Sequence, residues 1–150
     1  LLINAYNMFE PLVRFGRSNP VMGTCAGLIL MAEVVNDDRI NPLGLIDIVI
    51  ERNAYGRQIE SSKQKVEFVF SENHKIKLST TLIRAPRITR LSDDIKVLGE
   101  YNNSPIAILS GHHLGLSFHP ELDEIDIFHQ IIFDKQSEFY FKKIEHLDVA

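Results

Sequence analysis

The chain has 150 residues, 45% of them hydrophobic and 24% charged, an ordinary composition for one globular domain. A formal net charge of −4 and a pI near 5.8 give no basic field, so nucleic acid is not an expected partner. One cysteine excludes an internal disulfide and fits a reducing, cytoplasmic setting, and no apolar run approaches the ~20 residues that cross a bilayer.

The first residue is not Met. Leu1-Leu2-Ile3 opens the chain with no capping residue ahead of it, and the expectation is that an N-terminal segment is absent. Leu2, Ile3, Tyr6, Phe9, Leu12 and Val13 recur at near-helical spacing, which predicts an amphipathic helix from residue 2 to about 15. Pro11 disturbs its middle. Gly16 to Pro20 reads as a turn, Val21 to Thr24 as a short strand and Cys25 to Val35 as a buried helix. Asn36 to Gly44 is a polar loop. Its aspartates raise the thought of a metal, but no further ligand lies near in sequence, and a solvated loop is the better reading.

Leu45 to Glu51 is β-prone. Val66 to Phe70 and Ile76 to Ile83 read as strands joined by the turn at Ser71 to His74. Pro86 ends the second, since it disfavours helix at Ala85 and donates nothing to a ladder. Lys96 to Tyr101 and Ile106 to Ser110 form a hairpin around Asn102-Asn103-Ser104-Pro105. After a loop at Gly111-His112-His113 comes a strand, Leu114 to Phe118. Asp123 to about Lys143 then reads as a helix with an acidic first turn, and Ile144 to Ala150 as a frayed tail. The sum is an α/β sheet with a β-rich insertion.

Chemistry gathers at Gly23-Thr24-Cys25-Ala26-Gly27. A nucleophile between glycines at a strand-to-helix turn is an elbow, in which small neighbours let strand and helix approach. At a helix N-terminus the thiolate is favoured. The Ala26 N–H can face a developing oxyanion. A lone cysteine in an apolar segment is more often a core residue; the glycines shift the balance towards function.

The base must come from elsewhere. Of six histidines, His119 ends a β-prone run, and Pro120 holds its backbone extended. Glu121 lies two positions on, on the same side of an extended chain. Cys25, His119 and Glu121 compose a nucleophile, base and orienter for acyl transfer. His112 and His113 face opposite ways in a strand and lack partner cysteines, so they read as surface loop rather than metal ligands. His74, His129 and His146 attract no chemistry.

Gly23-Thr24-Cys25-Ala26-Gly27-Leu28 with Phe118-His119-Pro120-Glu121-Leu122 resembles the class I glutamine amidotransferases. Glu51-Arg52-Asn53-Ala54-Tyr55-Gly56-Arg57-Gln58 and Ile83-Arg84-Ala85-Pro86 narrow the resemblance to the glutaminase subunits of pyridoxal 5'-phosphate synthase, the PdxT family. The resemblance implies a flavodoxin-like three-layer sandwich with a mixed sheet, filling residues 1–150 as a single domain. It implies hydrolysis of L-glutamine to glutamate and ammonia through a glutamyl thioester on Cys25, with His119 as base and Glu121 as its orienter. Arg52, Ile83 and Arg84 would belong to the glutamine site, with an Arg fork suited to the α-carboxylate, and Ala26 to the oxyanion hole. Ammonia would pass to the barrel-shaped synthase subunit of a hetero-oligomer for vitamin B6 synthesis. No cofactor and no metal are implied.

The family also carries opening strands and a Gly-Gly-Glu-Ser motif, with a second oxyanion donor, that nothing here matches, so the domain is expected to be N-terminally incomplete. Two other readings stay open. One is a glutaminase subunit of another class I amidotransferase. The other is a non-catalytic scaffold of the same fold.

Overall fold

The computed structural model describes residues 2–52 and 62–147, with side chains through Ile144. The stretch Asn53 to Gln58, used above to narrow the family, lies outside the described residues.

Two helices open the chain, α1 (Leu2–Ala5) and α2 (Phe9–Ser18), where one was expected. Asn7 interrupts them at φ +53°. The Met8 N–H donates to the Ile3 carbonyl at 2.8 Å and the Asn7 N–H to Asn4 at 3.2 Å. This is a Schellman closure with Asn in the left-handed slot. Pro11 falls in the first turn of α2, where backbone N–H groups have no helical acceptor, so it breaks nothing. α2 runs on through Gly16 to Ser18, and the expected turn shrinks to Asn19 and Pro20.

Strand β1 (Met22–Thr24) leads into α3 (Ala26–Met31). The helix expected to reach Val35 stops after 6 residues. Leu43, Leu45 and Gly44 donate their N–H groups to the carbonyls of Leu30, Met31 and Ala32 at 2.6, 2.9 and 3.0 Å. The returning chain thus takes the acceptors at the helix end. Ala32–Val35 becomes strand β2 instead, parallel to β3 (Ile46–Glu51), a setting that suits β-branched Val34 and Val35. β3 pairs antiparallel with β6 (Arg87–Leu91), a strand not foreseen in the sequence. Ile46, Ile48 and Ile50 pack in one cluster with Leu28 and Met31 of α3.

The larger sheet adds β4 (Ser62–Ser71), β5 (His74–Leu82), β7 (Lys96–Tyr101), β8 (Ser104–Ser110) and β9 (His113–Leu116). Its order is β1-β9-β8-β7-β4-β5. β1 runs parallel to β9 and the other neighbours are antiparallel, so the sheet is mixed. Side-chain alternation on β8 shows what covers it. Ile108 joins the α3 cluster, while Ala107 and Leu109 join Phe118 and Phe128 in the other. Both faces are buried, which makes three layers.

The single helix expected from Asp123 to Lys143 is three pieces. A 3-10 turn (Pro120–Asp123) precedes α4 (Ile127–Phe133) and α5 (Phe141–Leu147). Glu124 in the left-handed region closes the turn, with the Ile125 N–H on the Pro120 carbonyl at 3.0 Å. Beyond α4, the Asp134 carboxylate accepts the Gln136 N–H at 2.9 Å, the local bonding by which Asp competes with helix. The tail read as frayed in fact begins inside α5, and Ile144 is buried. His113, read as surface, opens β9 in the interior. The neighbouring His112 donates from Nε2 to the Gly16 carbonyl at 3.0 Å.

Candidate active site

Cys25 sits between the end of β1 and the first turn of α3 at φ +47°, ψ −103°. No L-residue adopts that backbone without strain, on the order of 1–3 kcal/mol. Two neighbours hold it there. The Cys25 N–H donates to the Leu116 carbonyl at 2.8 Å, and the Ile29 N–H donates to the Cys25 carbonyl at 3.3 Å. Gly23 makes the turn sterically possible, since a Cβ there would lie 2.5 Å from the Met31 sulfur and 2.7 Å from the Gly27 carbonyl carbon. Gly27 has a different role from the one expected: a Cβ on it would meet open space. Close approach of strand and helix therefore rests on Gly23. Gly115 does the same across the sheet, where a Cβ would be 2.6 Å from Leu28.

The thiol does not follow the expectation of a helix N-terminus. Burial pushes the Cys25 thiol up, the Ala26 N–H pulls it down, and the nearby Glu121 carboxylate pushes it up again. Burial wins, and a six-residue helix offers too little dipole to reverse it. At rest Cys25 is a neutral thiol, which would need a base before it could act as a nucleophile.

The parallel register sets where that base comes from. Gly23 pairs with Gly115 and Thr24 with Leu116. Cys25 and the segment Ser117-Phe118-His119 therefore leave the sheet at the same edge, from adjacent strands ~4.8 Å apart. His119 Nδ1 donates to the Glu121 carboxylate at 2.6 Å. The extended backbone expected from Pro120 is not what brings them together. His119 itself is extended (φ −112°, ψ 92°), and Pro120 then starts the 3-10 turn that folds Glu121 back. Burial alone would raise the Glu121 pKa; the hydrogen bond from His119 and its own backbone outweigh it, and the carboxylate sits below its ordinary value. It is ionised at neutral pH and takes its hydrogen bond from Nδ1, so Nε2 is the ring nitrogen left for proton transfer.

The remaining site residues divide. Ala26 is the first residue of α3, and its exposed backbone end lies beside the sulfur. Arg52 follows β3 and donates from Nη1 to Asp37 at 3.0 Å. Asp37 also takes a two-pronged contact from Arg39 at 2.8 and 2.7 Å, which holds its carboxyl well below the usual range. The loop aspartate is thus an anchor for Arg52, a role invisible in sequence because the two lie fifteen positions apart. Ile83 is half-buried and Arg84 exposed just past β5. Arg84 is held at φ +43°, strain unusual for a side-chain-bearing residue. Asp123, read from sequence as a helix-dipole residue, instead joins this segment to the 3-10 turn that follows His119. Its Oδ2 accepts the Thr81 N–H at 2.6 Å and its Oδ1 the Thr81 hydroxyl at 2.9 Å. Among the described residues, no group of three or more His, Cys, Asp or Glu side chains could hold a metal ion.

A strained cysteine at a strand end and a histidine held by Glu121 at the end of the adjacent strand are the groups that thiol acyl transfer needs. Comparison with known proteins gives the family and the fold. The profile of the SNO glutamine amidotransferase family matches residues 1–138. The chain is 42% identical over 130 residues to the pyridoxal 5'-phosphate synthase subunit PdxT of Shouchella clausii, covering 86% of this chain and 65% of that protein. It is 41% identical over 137 residues to the PdxT subunit of Solibacter usitatus, covering 89% and 71%. It therefore spans about two thirds of the length of these relatives. A crystal structure of a glutamine amidotransferase superposes with TM-score 0.77 at 32% identity, over 89% of this chain and 70% of that one. A Thermotoga maritima glutamine amidotransferase shares the fold, with TM-score 0.51 at 15% identity, over 99% of this chain and 63% of that one. The mixed-sheet α/β sandwich is the class I glutamine amidotransferase fold.

Proposed function

Because the chain belongs to the SNO glutamine amidotransferase family, we propose that it is the glutaminase subunit of a pyridoxal 5'-phosphate synthase. Cys25, His119 and Glu121 carry the reaction. The imidazole of His119 takes the thiol proton as Sγ attacks the side-chain amide carbon of L-glutamine. The C–N bond breaks, His119 returns the proton to the leaving nitrogen, and ammonia departs. Water, deprotonated by the same imidazole, then opens the glutamyl thioester to glutamate and restores the thiol. Glu121 keeps the imidazole in one tautomer and stabilises its charged form. The Ala26 N–H offers one donor to the tetrahedral oxyanion. Arg52 and Arg84 receive the α-carboxylate of glutamine, and Ile83 lines the same site. Ammonia passes to the barrel-shaped synthase subunit in a cytoplasmic hetero-oligomer.

The observation that carries this reading is the 2.6 Å contact of His119 with Glu121 at the strand end beside a strained Cys25. A neutral resting thiol fits it as well, since attack then needs the base that the histidine provides. The test is glutamine hydrolysis measured with the synthase subunit present. Cys25→Ala should abolish it while the circular dichroism spectrum stays unchanged. Hydrolysis at the unmutated rate in that variant overturns the reading. Ammonia transfer to a different acceptor subunit would assign the chain to another class I amidotransferase.

A further inference from the structure

We propose that Asp123 is a positioning residue that locks the turn bearing His119 and Glu121 to the end of β5 that bears Ile83 and Arg84. The inference rests on the glutaminase reading above.

β5 is the last strand of the six-stranded sheet. Thr81 pairs with Lys63 of β4 on one side, and its N–H points to the free edge, where water would otherwise take it. Asp123 fills that place. One carboxylate oxygen accepts the Thr81 N–H at 2.6 Å. The other accepts the Thr81 hydroxyl at 2.9 Å and the Lys63 ammonium at 2.9 Å. Its side chain is only 3% exposed. Burial by itself would raise its pKa; Lys63 and Thr81 outweigh that and keep it ionised. Asp123 is the last residue of the 3-10 turn, two positions after Glu121, and Thr81 lies two before Ile83. One carboxylate thus joins the base's turn to the backbone that leads into the strained Arg84. A shift of the turn against β5 would move the base relative to the bound substrate, and misplacement of about 1 Å is worth roughly 100-fold in rate.

The test is steady-state glutamine hydrolysis by the assembled complex, with Asp123→Ala, Asp123→Asn, Thr81→Val and Cys25→Ala compared. Asp123→Ala should lower kcat/KM roughly 10- to 100-fold, with kcat falling and KM rising together, because base and substrate site lose a shared anchor. Asp123→Asn should recover part of the loss, since its amide oxygen still accepts the Thr81 N–H. Thr81→Val should fall between them. If Asp123→Ala melts at a lower temperature but keeps kcat and KM below that temperature, the residue only supports the fold and the inference is overturned. Should Asp123→Ala fail to fold, unchanged kinetics in both Asp123→Asn and Thr81→Val overturn it. Full activity in Cys25→Ala would overturn the glutaminase reading itself, and this inference with it.

Discussion

The backbone N–H of Cys25 donates to the carbonyl of Leu116 at 2.8 Å. That single bond continues the parallel ladder of β1 and β9 one residue past the end of β1. It ties the backbone of Cys25 to the strand whose next residues lead to His119. The strained dihedrals at Cys25 are therefore held by the sheet, and a side chain that disturbs the elbow should show in stability as well as in rate.

The two glycines around the cysteine should respond in opposite ways. In Gly23→Ala the new methyl would lie 2.7 and 2.8 Å from backbone atoms of Gly27, which cannot swing aside. We expect a loss of about 1–3 kcal/mol in urea unfolding and a fall in glutamine hydrolysis. In Gly27→Ala the methyl meets nothing within 4 Å. Stability should rise by about 0.5–1 kcal/mol, from better helix propensity alone. Equal destabilisation by both would contradict this division.

Glu121→Gln keeps the shape of the His119 contact and removes its charge. With the carboxylate held below its ordinary pKa of 4.5, the unmutated protein keeps the negative charge at every pH above that value. We expect kcat to drop roughly 10²-fold, with KM little changed, because the loss falls on the charged imidazole that forms only during the reaction. A KM effect without a kcat effect would place Glu121 in substrate binding instead.

His113 should make folding sensitive to mild acid. It is 6% exposed, its Nδ1 has no hydrogen-bond partner, and its ring centroid lies 4.2 Å from that of His112. Burial first, then the charge of His112, lower its pKa from 6.5 to about 4. The folded state therefore resists a proton that the unfolded state accepts. Stability is full above pH 6.5 and declines as pH falls towards 4, by about 2 kcal/mol at pH 5. Urea unfolding at pH 8 and pH 5 reads this difference. His113→Leu should flatten it; an unchanged slope in that variant would assign the acid sensitivity to other groups.

The order of elements was legible wherever a short apolar run met strong punctuation. Val21 to Thr24, Leu45 to Glu51 and the hairpin at Asn102 and Asn103 lie where alternation and turn residues put them, within a residue or two. The long helices were not. Periodicity ran through Asn7, through Ala32 and across residues 124–140, but each break depends on a bond the pattern does not contain. These are the Schellman pair at Asn7, the Leu43 to Leu45 donors and the Asp134 carboxylate. β6 escaped notice because Arg87-Ile88-Thr89-Arg90-Leu91 is a strand only by virtue of β3 beside it.

The sequence alone singled out the groups proposed here to do chemistry. A cysteine between small residues at a strand-to-helix switch, and a histidine followed two positions on by a glutamate, are local facts of composition and spacing. Tertiary structure decided how those groups are held and charged. The parallel register of β1 with β9, the burial that keeps the Cys25 thiol protonated, and the carboxylates of Asp37 and Asp123 all join residues distant along the chain. Desolvation and long-range hydrogen bonds depend on distance in space, and spacing along a chain does not encode that distance until the sheet has formed.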